Sequence, residues 1–516
     1  MASDVPAGRL SLFALLSLLA ILGVAGFGSI SPHPIGSTNT LGSVEGHVHD
    51  ARGPIEGALV RWKGQARATR TDGRGRFHLP QFMHGPQRIT AWRDGYLIAG
   101  ADVNRLPVVL DLRPLPTRDC DSYVWVDPTP SRASNDNCGN CHAEIYNEWS
   151  ASGHARSVTN RQFLSLYDGT NWHGKPWVGW SLRDERPYGL GVCTACHAPT
   201  VPHGDPAYFD LSKVQRVAER GVHCDYCHKI ADTGLGTIGL THGRFGIELL
   251  RPSEGQLFLG PLDDVDRGED TYSPLYKESR YCASCHEGTV FGVHVYSTYS
   301  EWLDSAARKE GKQCQTCHMK PTGRMTNAAP GHGGIERDPK TLANHRFFAG
   351  SQLDMLRKAV NVSTTFESPH DQRRLIVEVR AEDVGHRVPT GFVDRHLVLI
   401  VVPIDKGGNQ IEMLAGPTLP KHAGRAVAGL AGRLYGRVLK NAEGQGPVPF
   451  WRADDSQTVD TRLIPGQSER TAFILPEDAR RVLVQLKHRR TWPEQAELKG
   501  WPNNELTIVD QFLDPP

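Results

Sequence analysis

The sequence has almost no imbalance of charge. Its 58 Lys and Arg face 57 Asp and Glu, for a formal net charge of +1, so the basic field that nucleic-acid binding requires is missing. Methionine is scarce, at 6 of 516 residues. Apolar residues make up only 39% of the chain and the mean hydropathy is -0.41, both low for this length, which leaves room in the core for something other than side chains. The 53 Gly and 35 Pro point to extensive loop structure, and the length allows two to four domains. Cysteine is absent beyond Cys317, and only Cys120 precedes Cys138.

The remaining ten cysteines fall in one pattern, C-x-x-C-H, repeated as motifs 1 to 5: Cys138 to His142, Cys193 to His197, Cys224 to His228, Cys282 to His286 and Cys314 to His318. At this composition chance would supply on the order of 0.01 matches. Two thiols three positions apart suit thioether bonds to the two vinyl groups of one haem, and the next residue then lies under the iron. Cys138, Cys141, Cys193, Cys196, Cys224, Cys227, Cys282, Cys285, Cys314 and Cys317 are therefore candidate attachment sites, with His142, His197, His228, His286 and His318 as proximal ligands. Structural zinc and vicinal disulfides both leave the five histidines unexplained. The expected cofactor is five covalently bound haem c. Cys120, with no partner in the chain, reads as a free or intermolecular thiol.

Motif spacing alternates long and short, and Tyr146-Asn147-Glu148-Trp149-Ser150-Ala151-Ser152 recurs as Tyr299-Ser300-Glu301-Trp302-Leu303-Asp304-Ser305, which points to a duplicated unit with closely spaced haems. Of 23 histidines five belong to the motifs. With eighteen others against so few methionines, bis-His ligation is expected at most irons. Distal candidates inside the haem segment are His154, His203, His223, His242, His294 and His345.

The chain reads as multidomain: a loop-rich, α-helical multihaem domain flanked by an N-terminal β-sandwich of transthyretin or Ig-like type and a C-terminal all-β domain. Residues 1–31 are apolar from about Leu10 to Ile30 and form an export element, either a signal peptide or a membrane anchor, since about 20 such residues span a bilayer. Residues 42–114 carry short strands among turn residues, with Val44 to Val48, Gly53 to Val60 and Thr71 to Phe77 as the marked runs, and resemble the carboxypeptidase regulatory-like domain. The haem domain is expected over 120–355. Alternation returns over 356–516, in Leu375 to Val379, His396 to Val402 and Val482 to Leu486, with a Pro- and Gly-shaped loop from Gly385 to Phe392 between the first two.

Residues 138 to 475 resemble the multihaem cytochromes related to tetrahaem cytochrome c-554, the electron acceptor of hydroxylamine oxidoreductase. The match rests on the haem motifs, on Glu148-Trp149-x-x-Ser152-x-His154 and on Gly385-His386-x-x-Pro389-Thr390-Gly391. The resemblance implies electron transfer and a distal-ligand role for His386. Five motifs rather than four prevent the smaller protein's ligand pairing from being copied. No catalytic residues are indicated, and a non-enzymatic electron carrier in the periplasm or on the outer face of the cytoplasmic membrane is the favoured reading. The alternative is an oxidoreductase acting on a small nitrogen or sulfur compound at a five-coordinate haem. Ten propionates would carry the charge from +1 to about -9, favouring basic surfaces on redox protein partners or on a quinol-linked membrane complex.

Overall fold

The computed structural model describes residues 43–81, 87–201, 209–349, 352–369 and 372–516. The expected export element at 1–31 and the candidate His203 lie outside them. No helix among the described residues is long and apolar enough to cross a membrane.

The N-terminal part builds eight short strands: β1 (Ser43–Asp50), β2 (Gly53–Pro54), β3 (Leu59–Trp62), β4 (Ala68–Arg70), β5 (Arg76–Pro80), β6 (Arg88–Trp92), β7 (Ala99–Asp102) and β8 (Val108–Asp111). They form two four-stranded sheets, one ordered β2-β1-β5 with β8 on β1, the other β4-β3-β6-β7. Val44, Val48, Phe77 and Leu110 from the first sheet and Val60, Trp62 and Ile89 from the second enclose one core. Strict alternation in β1 sends Val44, Gly46 and Val48 inward. Gly46 must be glycine, because a Cβ there would lie 2.3 Å from the Val108 carbonyl oxygen. The Thr71 to Phe77 run is not one strand. The Asp72 carboxylate accepts the N–H groups of Arg74 and Arg76 and closes a turn, so the strand begins only at Arg76.

At the C-terminal end Leu375 to Val379 lies in the strand Arg374–Ala381, the centre of a three-stranded sheet flanked by Val360–Glu367 and Ser468–Ile474. The five-stranded antiparallel sheet runs Asp454–Asp460, Gly432–Lys440, His396–Ile404, Arg481–Arg489, Glu505–Leu513. Its middle strand is apolar without alternation because both faces are covered. Val398, Ile400 and Val402 pack with Leu166, Tyr167, Trp180 and Val295 of the preceding region, while Leu397, Leu399 and Val401 pack with the three-stranded sheet. That sheet is therefore the middle layer, and one of its faces forms a wall of the region that carries the motifs. Lys499 ties the two together: its buried Nζ donates to the carbonyl oxygens of Ser165 (2.7 Å), Val178 (2.7 Å) and Thr170 (3.2 Å).

Candidate functional site

Each C-x-x-C-H motif forms about one turn of helix, within Cys138–Cys141, Gly191–His197, Cys224–Cys227, Arg280–His286 and Cys314–His318. One turn is what the chemistry needs, since it stacks thiols i and i+3 on a single face. Thiols of different motifs also meet. Cys138 contacts Cys224, Cys196 contacts Cys285, and Cys282 contacts Cys314. Motifs 4 and 5 are stitched further by Gln313, whose side chain accepts from Ser279 N–H and Oγ at 2.7 Å, and by Ser279 Oγ, which accepts from Cys314 N–H at 3.0 Å.

Four of the five motif histidines are oriented by backbone carbonyls from other segments. Nδ1 of His142 donates to Ala328 O (2.8 Å), that of His197 to Ser157 O (2.7 Å), that of His228 to Leu259 O (2.7 Å) and that of His318 to Phe348 O. A carbonyl can only accept, so these bonds fix the proton on Nδ1 and leave the Nε2 lone pair free for a metal. Burial lowers the pKa of His197 and of His228, and takes that of His286 down to about 4, with His318 adding to the effect. His197, His228 and His286 are thus neutral at pH 7, and the motif residues fit haem.

Two other histidines face motif histidines at a telling distance. The His154 and His286 ring centroids are 6.3 Å apart, and those of His386 and His318 6.2 Å. Two imidazoles on opposite sides of one iron stand about 6 Å apart, given a metal–nitrogen distance of about 2 Å. His386 donates from Nδ1 to Arg387 O (3.1 Å) and His345 to Ala343 O (3.0 Å), repeating the pattern of the motif histidines. His345 is held neutral by burial, then by His228 and, more weakly, His142, with a pKa of about 4. His154 is lowered to about 3, by burial and then by His286.

The remaining candidates have other surroundings. His223 is fully buried, with Nε2 3.3 Å from Thr200 Oγ1 and no protein partner at Nδ1. His242 has a buried, unpartnered Nε2 and precedes Gly243, where a Cβ would lie 2.7 Å from Cys196 Sγ. His294 is paired through Nε2 with Glu287 at 2.5 Å, which raises its pKa.

The sequence repeat is also a structural one. Trp149 Nε1 donates to Val222 O and Trp302 Nε1 to Lys312 O, both at 2.9 Å and each two residues before a motif cysteine. Glu148 accepts the N–H of His345 at 2.9 Å, and Glu301 that of Arg387, next to His386, at 3.1 Å. Each copy thus braces one motif and one histidine loop. Sequence reasoning passed over a buried ion pair, Asp225 with Lys229, inside and just after motif 3; both side chains are 0% exposed. Their i, i+4 spacing was the available signal. The carbonyl acceptors leave no trace in sequence, because any residue supplies one.

Residues 137–229 match the family model of cytochrome c554 and c-prime, a segment that contains motifs 1 to 3 and the first repeat copy. A search of curated proteins gives no match. Among solved structures, a penta-haem cytochrome c552 from Thermochromatium tepidum shares the fold with a TM-score of 0.53 at 20% identity, over 73% of this chain and 97% of that one. With three of its five attachment motifs inside the family match and its fold shared over most of its length with a penta-haem cytochrome, the chain is similar to the multihaem cytochromes c related to cytochrome c554, a likeness that supports covalently bound haem c.

Proposed function

We propose that this cytochrome carries five haems c, one at each motif, and serves as an extracytoplasmic electron conduit. The observation that carries the reading is the contact between motifs. Motif 1 meets motif 3 through Cys138 and Cys224, and motif 4 meets both motif 2, through Cys285 and Cys196, and motif 5, through Cys282 and Cys314. Cys227 of motif 3 also feels Cys285 of motif 4. Haems attached at neighbouring thiols lie close together, as electron hopping requires. Covalent attachment retains them through redox cycling, and the ligands and their hydrogen bonds set the potentials.

The imidazole spacings support His154 as sixth ligand to the motif 4 iron and His386 as sixth ligand to the motif 5 iron. His345, buried under the influence of His228 and His142 with its Nδ1 on Ala343 O, is a distal candidate for motif 3 or motif 1. The domain division is 42–114, 120–355 and 356–516, with 1–31 delivering the chain across the cytoplasmic membrane. Redox proteins with basic docking surfaces are the expected partners. Near-infrared magnetic circular dichroism and electron paramagnetic resonance of the oxidised protein test the ligation. The expected result is a majority of low-spin His/His signatures. A majority of His/Met signatures contradicts the ligand set, and a strong high-spin signal that responds to nitrite or sulfite favours catalysis at an open iron instead.

A further inference from the structure

The N-terminal β unit docks on the haem region chiefly through one short segment, residues 263–272, with Ile335 beside Gly64 at its margin. Asp266, its carboxylate 2% exposed, holds both Lys63 Nζ and Arg88 Nε at 2.6 Å. Trp92 Nε1 donates to Thr271 Oγ1 at 3.2 Å, Thr271 Oγ1 donates to Tyr96 O at 2.8 Å, and Ile98 N–H donates to Asp270 O at 2.9 Å. The strand so gripped, Asp270–Tyr272, pairs in parallel with Phe258–Gly260. Leu259, at the centre of that partner, bonds twice to one motif histidine: its N–H donates to His228 O at 2.9 Å, and its carbonyl accepts His228 Nδ1–H at 2.7 Å.

A second path leaves the same surface. Gly64 N–H donates to Asp264 at 2.6 Å, and Asp264 is bound by both guanidinium nitrogens of Arg337 at 2.8 and 2.9 Å. Arg337 N–H donates to Thr326 O at 2.7 Å, two residues before Ala328, whose carbonyl accepts His142 Nδ1–H. One docking surface thus reaches the proximal histidines of motifs 1 and 3 and, by these bonds, no other motif histidine.

We infer that the N-terminal unit is a brace that tunes redox potential: docked through Lys63, Arg88 and Trp92, it holds the carbonyls that orient His228 and His142, and its release raises the potentials of those two haems selectively. The inference rests on haem attachment at motifs 1 and 3. The sign follows from the ligand bond. An Nδ1–H···O=C hydrogen bond makes the imidazole a stronger donor, which favours ferric iron, so loosening it favours the ferrous state. Lys63, Arg88 and Trp92 touch no haem ligand and are positioning residues.

Two variants of the full-length holoprotein release the unit by different means. Arg61→Gln/Lys63→Gln/Arg88→Gln/Asp266→Asn removes every ion pair across this surface, that of Arg61 with Asp263 at 2.7 Å included. Gly100→Leu wedges the interface, since a Cβ there would lie 1.6 Å from Asp266 Oδ2. Faster trypsin cleavage at Arg118 reports release, and Arg88→Lys, which keeps the ion pair, should behave as wild type. Spectroelectrochemical titration should show two haems shifted upward, the ferrous-to-ferric ratio at a fixed potential changing about tenfold, or about 59 mV, with the others unmoved. The g-values of two low-spin species should move as well. Unchanged potentials in a released variant, or a uniform shift of all the haems, overturn the inference. A haem-to-protein ratio below five in the wild type would instead strike at the proposed function.

Discussion

His386→Ala converts one low-spin ferric haem to high spin and raises its reduction potential, while the other haems keep their spectra. The imidazole of His386 stands 6.2 Å from that of His318, centroid to centroid and tilted by only 21°, with its Nδ1 proton committed to Arg387 O. On the proposed ligation it would be the sixth ligand of the motif 5 iron, and its loss would remove a donor that stabilises the ferric state. The ferrous-to-ferric ratio should change at least tenfold, or about 59 mV. Stability should change little, because Glu301 anchors the loop through Arg387 N–H and through an ion pair with Arg462 at 2.6 Å, neither of which needs the His386 ring. Electron paramagnetic resonance of the variant checks this. A spectrum identical to wild type, with every haem attached, would make His386 a turn residue and remove the C-terminal β region from the electron path.

Asp225→Ala has its main effect on stability. Asp225 accepts from Lys229 Nζ, from Tyr123 OH at 2.9 Å and from Val126 N–H at 2.8 Å, and neither charged side chain reaches solvent. Lys229 is further enclosed by the Phe258 ring at 4.2 Å and the Tyr123 ring at 5.0 Å. Removing the carboxylate strands a buried ammonium and should cost about 3–5 kcal/mol. Burial already lowers the Lys229 pKa and Asp225 opposes that shift, so in the variant the lysine can shed its proton and limit the loss. The double variant Asp225→Asn/Lys229→Met, which buries no charge, should recover most of the stability. Denaturant unfolding of the two holoproteins measures this, and equal losses in both would show that packing rather than charge is at stake. Only where Lys229 keeps its proton does the single variant leave net positive charge near Cys138, so a rise in the potential of the motif 1 haem is expected at pH values low enough to keep the lysine charged.

How much of this was legible in the sequence depended on how local each feature is. Motif chemistry fits within five residues, and each motif folds as the single turn its spacing requires. The strand His396–Ile404 was visible as a strand but read among the alternating ones, whereas it is buried on both faces, which serve two different cores and depend on a second sheet from Val360 onward. The Tyr-x-Glu-Trp repeat was visible too. Its purpose was hidden, since Glu148 acts on His345 across nearly two hundred residues and Glu301 on the His386 loop. Pairing of distal histidines with irons is tertiary information throughout. His154 follows motif 1 in sequence yet faces His286 of motif 4. His294 looked as well placed as any candidate, and only the fold shows its Nε2 engaged by Glu287.

Pyridine haemochrome absorbance per protein, run beside intact mass on correctly matured material, bears most directly on the central claim. Each motif has its two thiols on one helical turn, and motif histidines are oriented for ligation, so the account predicts five haems per chain and a mass increase equal to five covalent additions. A ratio of four or fewer in fully matured protein, or haem released by acidified solvent, would contradict it.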